Sequence, residues 1–185
     1  MTREPGVGVL VSGSGSNLQA LIDAGIPIAA VASNVDEVTA LERARAAGIP
    51  TAVFTLADYG DRDERDDAMA KWLSARGVDL VVCAGYMHLL RPVFLGRFPG
   101  RVLNVHPALL PAFPGAHAVE DALAAGAAQT GATVHLVDDG VDTGAVLAQE
   151  TVAVLPGDTA ETLHARIRVV EHRLLPAVVK ELLAA

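Results

Sequence analysis

The sequence predicts an α/β protein built on a Rossmann-like, doubly wound, mostly parallel sheet with an antiparallel C-terminal portion. Three observations carry that prediction. Short apolar runs rich in Val and Ala alternate with helix-patterned stretches through roughly the first hundred residues, as parallel strands joined by crossover helices require. Near the C-terminus the run GATVHLVDDGVDTGAVLAQETVAV holds two strand-like pieces separated by Asp, Gly and Thr with no helix between them, which predicts an antiparallel pair. Hydrophobic residues make up 51% of the 185 residues but aromatic ones only 4%, a balance that suits a helix-covered sheet better than an aromatic-rich sandwich.

Taken in order, VGVLVS (7–12) reads as a strand, GSGSN as a turn, and NLQALIDAG as a helix. IPIAAVASN is a second buried strand. A helix from about Asp36 to Ala47 follows, with Gly48 as its C-terminal stop signal. TAVF (51–54) is a third strand, and DYGDRDERDDAMAKWLSARG an amphipathic helix with Met69, Trp72 and Leu73 on one face and its charges on a solvated face. DLVVCA (79–84) and RVLNV (101–105) are strands four and five, HAVEDALAAGAA a helix, and Thr159 to about Leu183 a long closing helix. Asp158 or Thr159 caps that helix, and Glu161 or Glu171 is expected on its polar face. No linker, repeat or low-complexity segment interrupts the series, so a single domain over 1–185 is expected.

Charge narrows the function classes. The formal net charge of -8 argues against a nucleic-acid binder, whose affinity depends on neutralising phosphates, and leaves an anionic substrate in need of local help. The single cysteine, Cys83, sits in an apolar run and reads as a core thiol in a reducing compartment. The apolar part of the opening MTREPGVGVLVSGSGSN is too brief for a secretory leader, and no run reaches the roughly 18 apolar residues of a membrane helix. A cytoplasmic protein without membrane association is expected.

Three stretches carry candidate chemistry. VLNVHPALLPAFPG delivers Asn104 and His106 at a strand end, where i, i+2 spacing sends both to one side and the prolines at 107, 111 and 114 stop the strand. GSGSN (13–17) lets the backbone approach a ligand, and the free N–H groups of the following helix would hold a phosphate; capping of that helix by Ser16 or Asn17 is the structural alternative. Lacking the third glycine and a G-K-[ST], it is neither a dinucleotide nor a Walker turn. HLVDDGVDTG (135–144) groups Asp138, Asp139 and Asp142; its rhythm does not suit a hard cation, and no metal is expected. Asp142 placed against His106 would favour the imidazolium and make it a proton donor. AGYMHLL (84–90), at a strand's carboxyl end, offers Met87, Leu89 and Leu90 either as a slot for a flat ring or as core.

VSGSGSNLQALID, Ser33-Asn34, AGYMHLL, LNVHPALLPAFPG, GATVHLVDDGVDTG and EHRLLP, in this order and from end to end, resemble the phosphoribosylglycinamide formyltransferases. The resemblance implies the formyltransferase fold, with a phosphate-binding half to about residue 100 and a folate and catalytic half from about 101. It implies transfer of a formyl group from 10-formyltetrahydrofolate, as co-substrate, to the amine of glycinamide ribonucleotide, by a monomer or homodimer. By the same resemblance Asn104, His106 and Asp142 are catalytic. Gly13, Gly15, Ser16, Asn17, Arg168 and Glu171 bind the ribonucleotide. Arg62 (with Arg65 close by), Met87, His88, Leu89, Leu90, Asn104, Asp138, Asp139, Gly140, Val141 and Asp142 line the folate pocket. The chain departs from the family pattern at His88, where Arg or Lys is common, at Ala108, where Ser is usual, and at Ala145, where Pro often stands. Among the other histidines, His117 follows the Pro-rich loop near the site, and His135, His164 and His172 are assigned structural positions. Rival readings are a formyltransferase for another amine, a formyltetrahydrofolate hydrolase, and a noncatalytic folate- or nucleotide-binding module.

Overall fold

The structure, a computed structural model, describes residues 5–185; the first four residues of the single domain expected over 1–185 lie outside the described residues. The chain forms two compact units, Met1–Leu103 and Asn104–Ala185.

The first unit contains β1 (Gly6–Val11), α1 (Ser16–Asp23), β2 (Ile28–Ser33), α2 (Thr39–Ala46), β3 (Thr51–Val53), α3 (Arg62–Ala75), β4 (Val78–Cys83), the one-turn α4 (Pro92–Leu95) and the first residues of β5 (Val102–His106). β1 pairs in parallel with β2 on one side and β4 on the other, and β2 pairs in parallel with β3. Val9, Leu10, Val11, Val31, Val81 and Val82 are wholly buried, the continuous apolar pattern of parallel strands covered by helices. Leu18, Leu21, Leu41, Met69 and Leu73 supply the helical part of that core.

The second unit contains the rest of β5, α5 (Ala118–Ala124), β6 (Gln129–Leu136), β7 (Val146–Ala153) and α6 (Ala160–Ala184). β6 lies between β5 and β7 and pairs antiparallel with β7 from Gln129↔Ala153 to His135↔Val146. Val119, Ala132, Val152, Leu163, Ile167 and Val170 pack together as its core. Thr159 caps α6 in a reciprocal box with Thr162. The seven strands are thus mostly parallel with an antiparallel C-terminal pair, as the sequence predicts.

Three local expectations are corrected. α2 begins at Thr39 instead of near Asp36, because Glu37 has φ 54° and Val38 is extended. Arg65 and Asp66 do not join the solvated face of α3; both are fully buried, and they pair with each other. Glu171, expected on the polar face of α6, is only 3% exposed.

Candidate active site

In the second unit the end of β5 supplies Asn104 and His106, the end of β6 supplies His135, and the following loop supplies Asp142. His106 is buried: its Nε2 lies 2.7 Å from the Phe113 carbonyl and its Nδ1 3.4 Å from Asp142 Oδ2. Both ring nitrogens therefore face oxygen acceptors, which only a doubly protonated imidazole satisfies. Gly115 N–H donates to the same Asp142 oxygen at 2.8 Å. That glycine has φ 93°, a conformation side chains resist.

His135 joins the remaining pair. Its Nδ1 lies 2.8 Å from the Leu136 carbonyl, and its Nε2 lies 3.2 Å from Asn104 Nδ2 and 3.5 Å from Asp142 Oδ1. A neutral ring accepts from Asn104, and a protonated one donates to Asp142, so one proton decides between the two contacts. The hydrogen bond from His135 is the main influence that holds the Asp142 carboxyl down to about 2, against the opposing effect of burial; the Gly115 N–H and the charge of His106 add to it. Phe113 and Asp142 themselves both sit at φ 54°, left-handed for non-glycine residues, as happens where surrounding contacts over-determine a functional geometry.

The loop 107–114 is anchored from below. The buried Thr133 hydroxyl donates to Ala108 O at 2.7 Å and accepts from Leu110 N (3.1 Å) and Gln149 Nε2 (2.9 Å), so its hydrogen-bonding capacity is fully used. Gln149 also donates to Leu110 O. In the acidic loop, Asp138 Oδ1 accepts from Gly140 N and Thr143 Oγ1 and so shapes its own turn, while Asp139 and Val141 are exposed. Among the described residues no group of three or more His, Cys, Asp or Glu is arranged to hold a metal ion.

In the first unit Gly15 is the N-cap of α1 at φ 73°, and no side chain caps that helix, so the capping role weighed for Ser16 and Asn17 is not realised. An added Cβ at Gly15 would stand 2.6 Å from the Ala40 Cβ, which makes glycine a steric requirement there. The turn's carbonyls are engaged by α2: Gly13 O accepts from Ala40 N, and Ser14 O from Arg43 Nε at 2.8 Å. After β4, Met87 and Leu89 are 64% and 52% exposed, whereas Leu90 is buried. Arg62 begins α3, and its Nε makes no hydrogen bond.

On α6, Arg168 and Glu171 lie about one turn apart, near His164 and His172. Burial, and then the charge of Arg168, hold both of these histidines below the usual imidazole range. His117 is the exposed residue preceding α5.

The family model for formyl transferases matches residues 7–179. The chain belongs to the formyl transferase family. It is 55% identical over 178 residues to the phosphoribosylglycinamide formyltransferase of Mycobacterium tuberculosis, covering 94% of this chain and 83% of that one. It is 43% identical to the protein of that name from Haemophilus influenzae over 180 residues, covering 94% and 85%. Among solved structures, glycinamide ribonucleotide transformylase 1 from Symbiobacterium toebii superposes with a TM-score of 0.95 at 46% identity, over 97% of this chain and 88% of that one.

His135, Thr133, Gln149 and the Phe113 carbonyl are the site features that sequence reading passed over. For His135 a signal existed: it ends a strand beside the acidic loop, the same strand-end position that singled out Asn104 and His106.

Proposed function

We propose that this chain transfers the formyl group of 10-formyltetrahydrofolate to the amine of N1-(5-phosphoribosyl)glycinamide, giving the formylated ribonucleotide of purine biosynthesis. Family membership supports the reaction class. The observation that carries the reading to particular residues is the cluster in which His106 and His135 each stand within 3.5 Å of Asp142, with Asn104 Nδ2 3.2 Å from His135 Nε2.

The chemistry follows from those groups. The substrate amine attacks the formyl carbon, and the formyl oxygen gains negative charge in the tetrahedral intermediate. Asn104 N–H and the Nε2–H of protonated His106, which exchanges the Phe113 carbonyl for the new acceptor, donate to that oxygen, assistance worth about 2.7–4 kcal/mol for a single donor in comparable sites. Asp142 keeps His106 charged and oriented. The C–N bond to folate N10 then breaks, and the proton released by the amine ends on N10.

In the same reading the Gly13, Gly15, Ser16 and Asn17 turn takes the ribonucleotide phosphate through backbone N–H groups, and Arg168 and Glu171 take its ribose end. Arg62, Met87, His88, Leu89 and Leu90 receive the folate, together with the 138–142 loop. The two units act as one formyltransferase domain. No described helix is long and apolar enough to cross a membrane, and the only cysteine is buried and unpaired, which supports a place in the reducing cytoplasm.

The test is turnover by the purified protein with formyl folate and glycinamide ribonucleotide, without added metal. Formylated ribonucleotide is expected. Formylation of a different amine only, or release of formate without an amine, would overturn the reading.

A further inference from the structure

Beneath the exposed Met87 and Leu89 lies a buried polar network that the transfer chemistry does not use. Arg65 and Asp66 are fully buried; Arg65 Nε and Nη2 donate to Asp66 Oδ1 at 2.9 and 2.7 Å, and Arg65 Nη1 donates to His88 Nδ1 at 2.7 Å. The second Asp66 oxygen accepts from Arg91 N at 2.8 Å. On the other side, Met87 N donates to Ser12 Oγ at 2.9 Å, Ser12 Oγ donates to Asn34 Oδ1 at 2.5 Å, and Asn34 Nδ2 lies 3.4 Å from the same His88 nitrogen. Residues 87–91 are thus tied down at both ends and in the middle, while two apolar side chains remain outside.

The network also decides a proton position. A guanidinium has only donors, so the His88 nitrogen it addresses must present a lone pair. An imidazolium would set N–H against N–H. Arg65 therefore holds the ring neutral with its one proton on Nε2, the nitrogen that the guanidinium does not address. Burial and the Arg65 charge push His88 in the same direction, away from protonation.

We propose that Arg65 is a positioning residue for the co-substrate: it locks His88 as an uncharged Nε2–H donor on a fixed apolar ledge, matched to the acceptor atoms of a flat, neutral heteroaromatic ring. The inference rests on the reading that residues 87–90 lie against the folate, and it adds the residue that sets their geometry and donor state.

Long-range 1H–15N spectra of the unaltered protein at pH 7 read the tautomer directly. A protonated Nε2 and bare Nδ1 at His88 are expected; a protonated Nδ1 or a charged ring overturns the proposal. In steady-state kinetics, Arg65→Met raises KM for formyl folate about tenfold while kcat and the ribonucleotide KM move by less than about twofold, and Arg65→Lys recovers most of the loss. An unchanged folate KM in Arg65→Met overturns the proposal. Arg65→Met leaves Asp66 buried without its partner, so the Arg65→Met/Asp66→Asn double variant is measured beside it under the same criterion, and the tautomer needs no variant. Failure of the underlying folate reading looks different: the Met87 methyl signal would stay in place on folate titration whatever the tautomer, and both ideas would fall.

Discussion

The end of β4 and the cluster around Asp142 treat their ionisable groups in opposite ways. Burial pushes the Cys83 thiol up to about 12, with Asp66 adding to it; burial also raises Tyr86 and, together with Arg65 and Arg62, lowers His88. All three are driven to their neutral forms. Asp142 is driven to its charged form, down to about 2, because the donors around it outweigh the desolvation that dominates at Cys83. A neutral, partly apolar surface suits recognition of an uncharged ring. A retained carboxylate beside an imidazole suits a transition state that develops charge. Substitutions at the first region should therefore appear in KM, and substitutions at the second in kcat.

The largest effect tests the second half of that contrast. His106→Ala should lower kcat by roughly 10²–10³, the cost of losing one oxyanion donor, and leave both KM values within about threefold. A change concentrated in KM would exchange the roles of the two regions. Next comes Thr133→Val, which strands Leu110 N and removes the partner of Ala108 O beneath the Pro-rich loop. It should destabilise the protein by about 1–3 kcal/mol in urea unfolding, with kcat falling more than either KM. On the proposed reading, in which the turn holds substrate and takes no part in bond-making, Asn17→Ala should raise KM for the ribonucleotide roughly tenfold with little change in kcat. A kcat loss there would mean the turn does more than hold.

How far these regions could be read from sequence follows from what each pattern encodes. Strand alternation placed Asn104 and His106 on one side, and the need of an imidazolium for a carboxylate singled out Asp142. The structure brings His106 and Asp142 together. His135 escaped because a lone histidine in an apolar strand has the same local pattern as a satisfied core residue; its role appears only once β6 and its following loop are placed beside β5. Arg65 escaped for a different reason. Buried positions on α3 run 65, 66, 69, 70 and 73, so the stripe defined by Met69 and Leu73 passes through Arg65 and Asp66 one turn earlier. In sequence their charge signals exposure, although two opposite charges that satisfy each other can be buried. Glu171 likewise falls on a buried stripe, with Ile167, Val170 and Leu175 on α6.

Acid stability sharpens the contrast with a smaller effect. The folded Asp142 carboxyl titrates near 2 against an ordinary value of 3.8, so its contribution is fully present above about pH 4 and is lost as pH falls towards 2. Asp142→Asn should remove that segment of the stability profile, as followed by acid unfolding. An unaltered profile between pH 4 and 2 would mean that the donors around Asp142 do not favour its charged form.

The smallest effect belongs to the neutral region. A thiolate is the reactive form of cysteine, and a thiol raised to about 12 in a buried strand presents almost none at pH 8. Iodoacetamide should leave the native mass and turnover unchanged, while the urea-unfolded chain takes up one label per molecule. Because Asp66 contributes to the Cys83 shift, the thiol also reports on the Arg65–Asp66 pair. If Asp66→Asn made Cys83 measurably reactive in a protein that still melts cooperatively, opening of β4 would outweigh the carboxylate's influence, since removing a negative charge alone lowers a thiol pKa only modestly in a site dominated by burial. Continued silence in that variant would leave desolvation as the controlling influence, the property that separates this strand end from the one carrying Asn104 and His106.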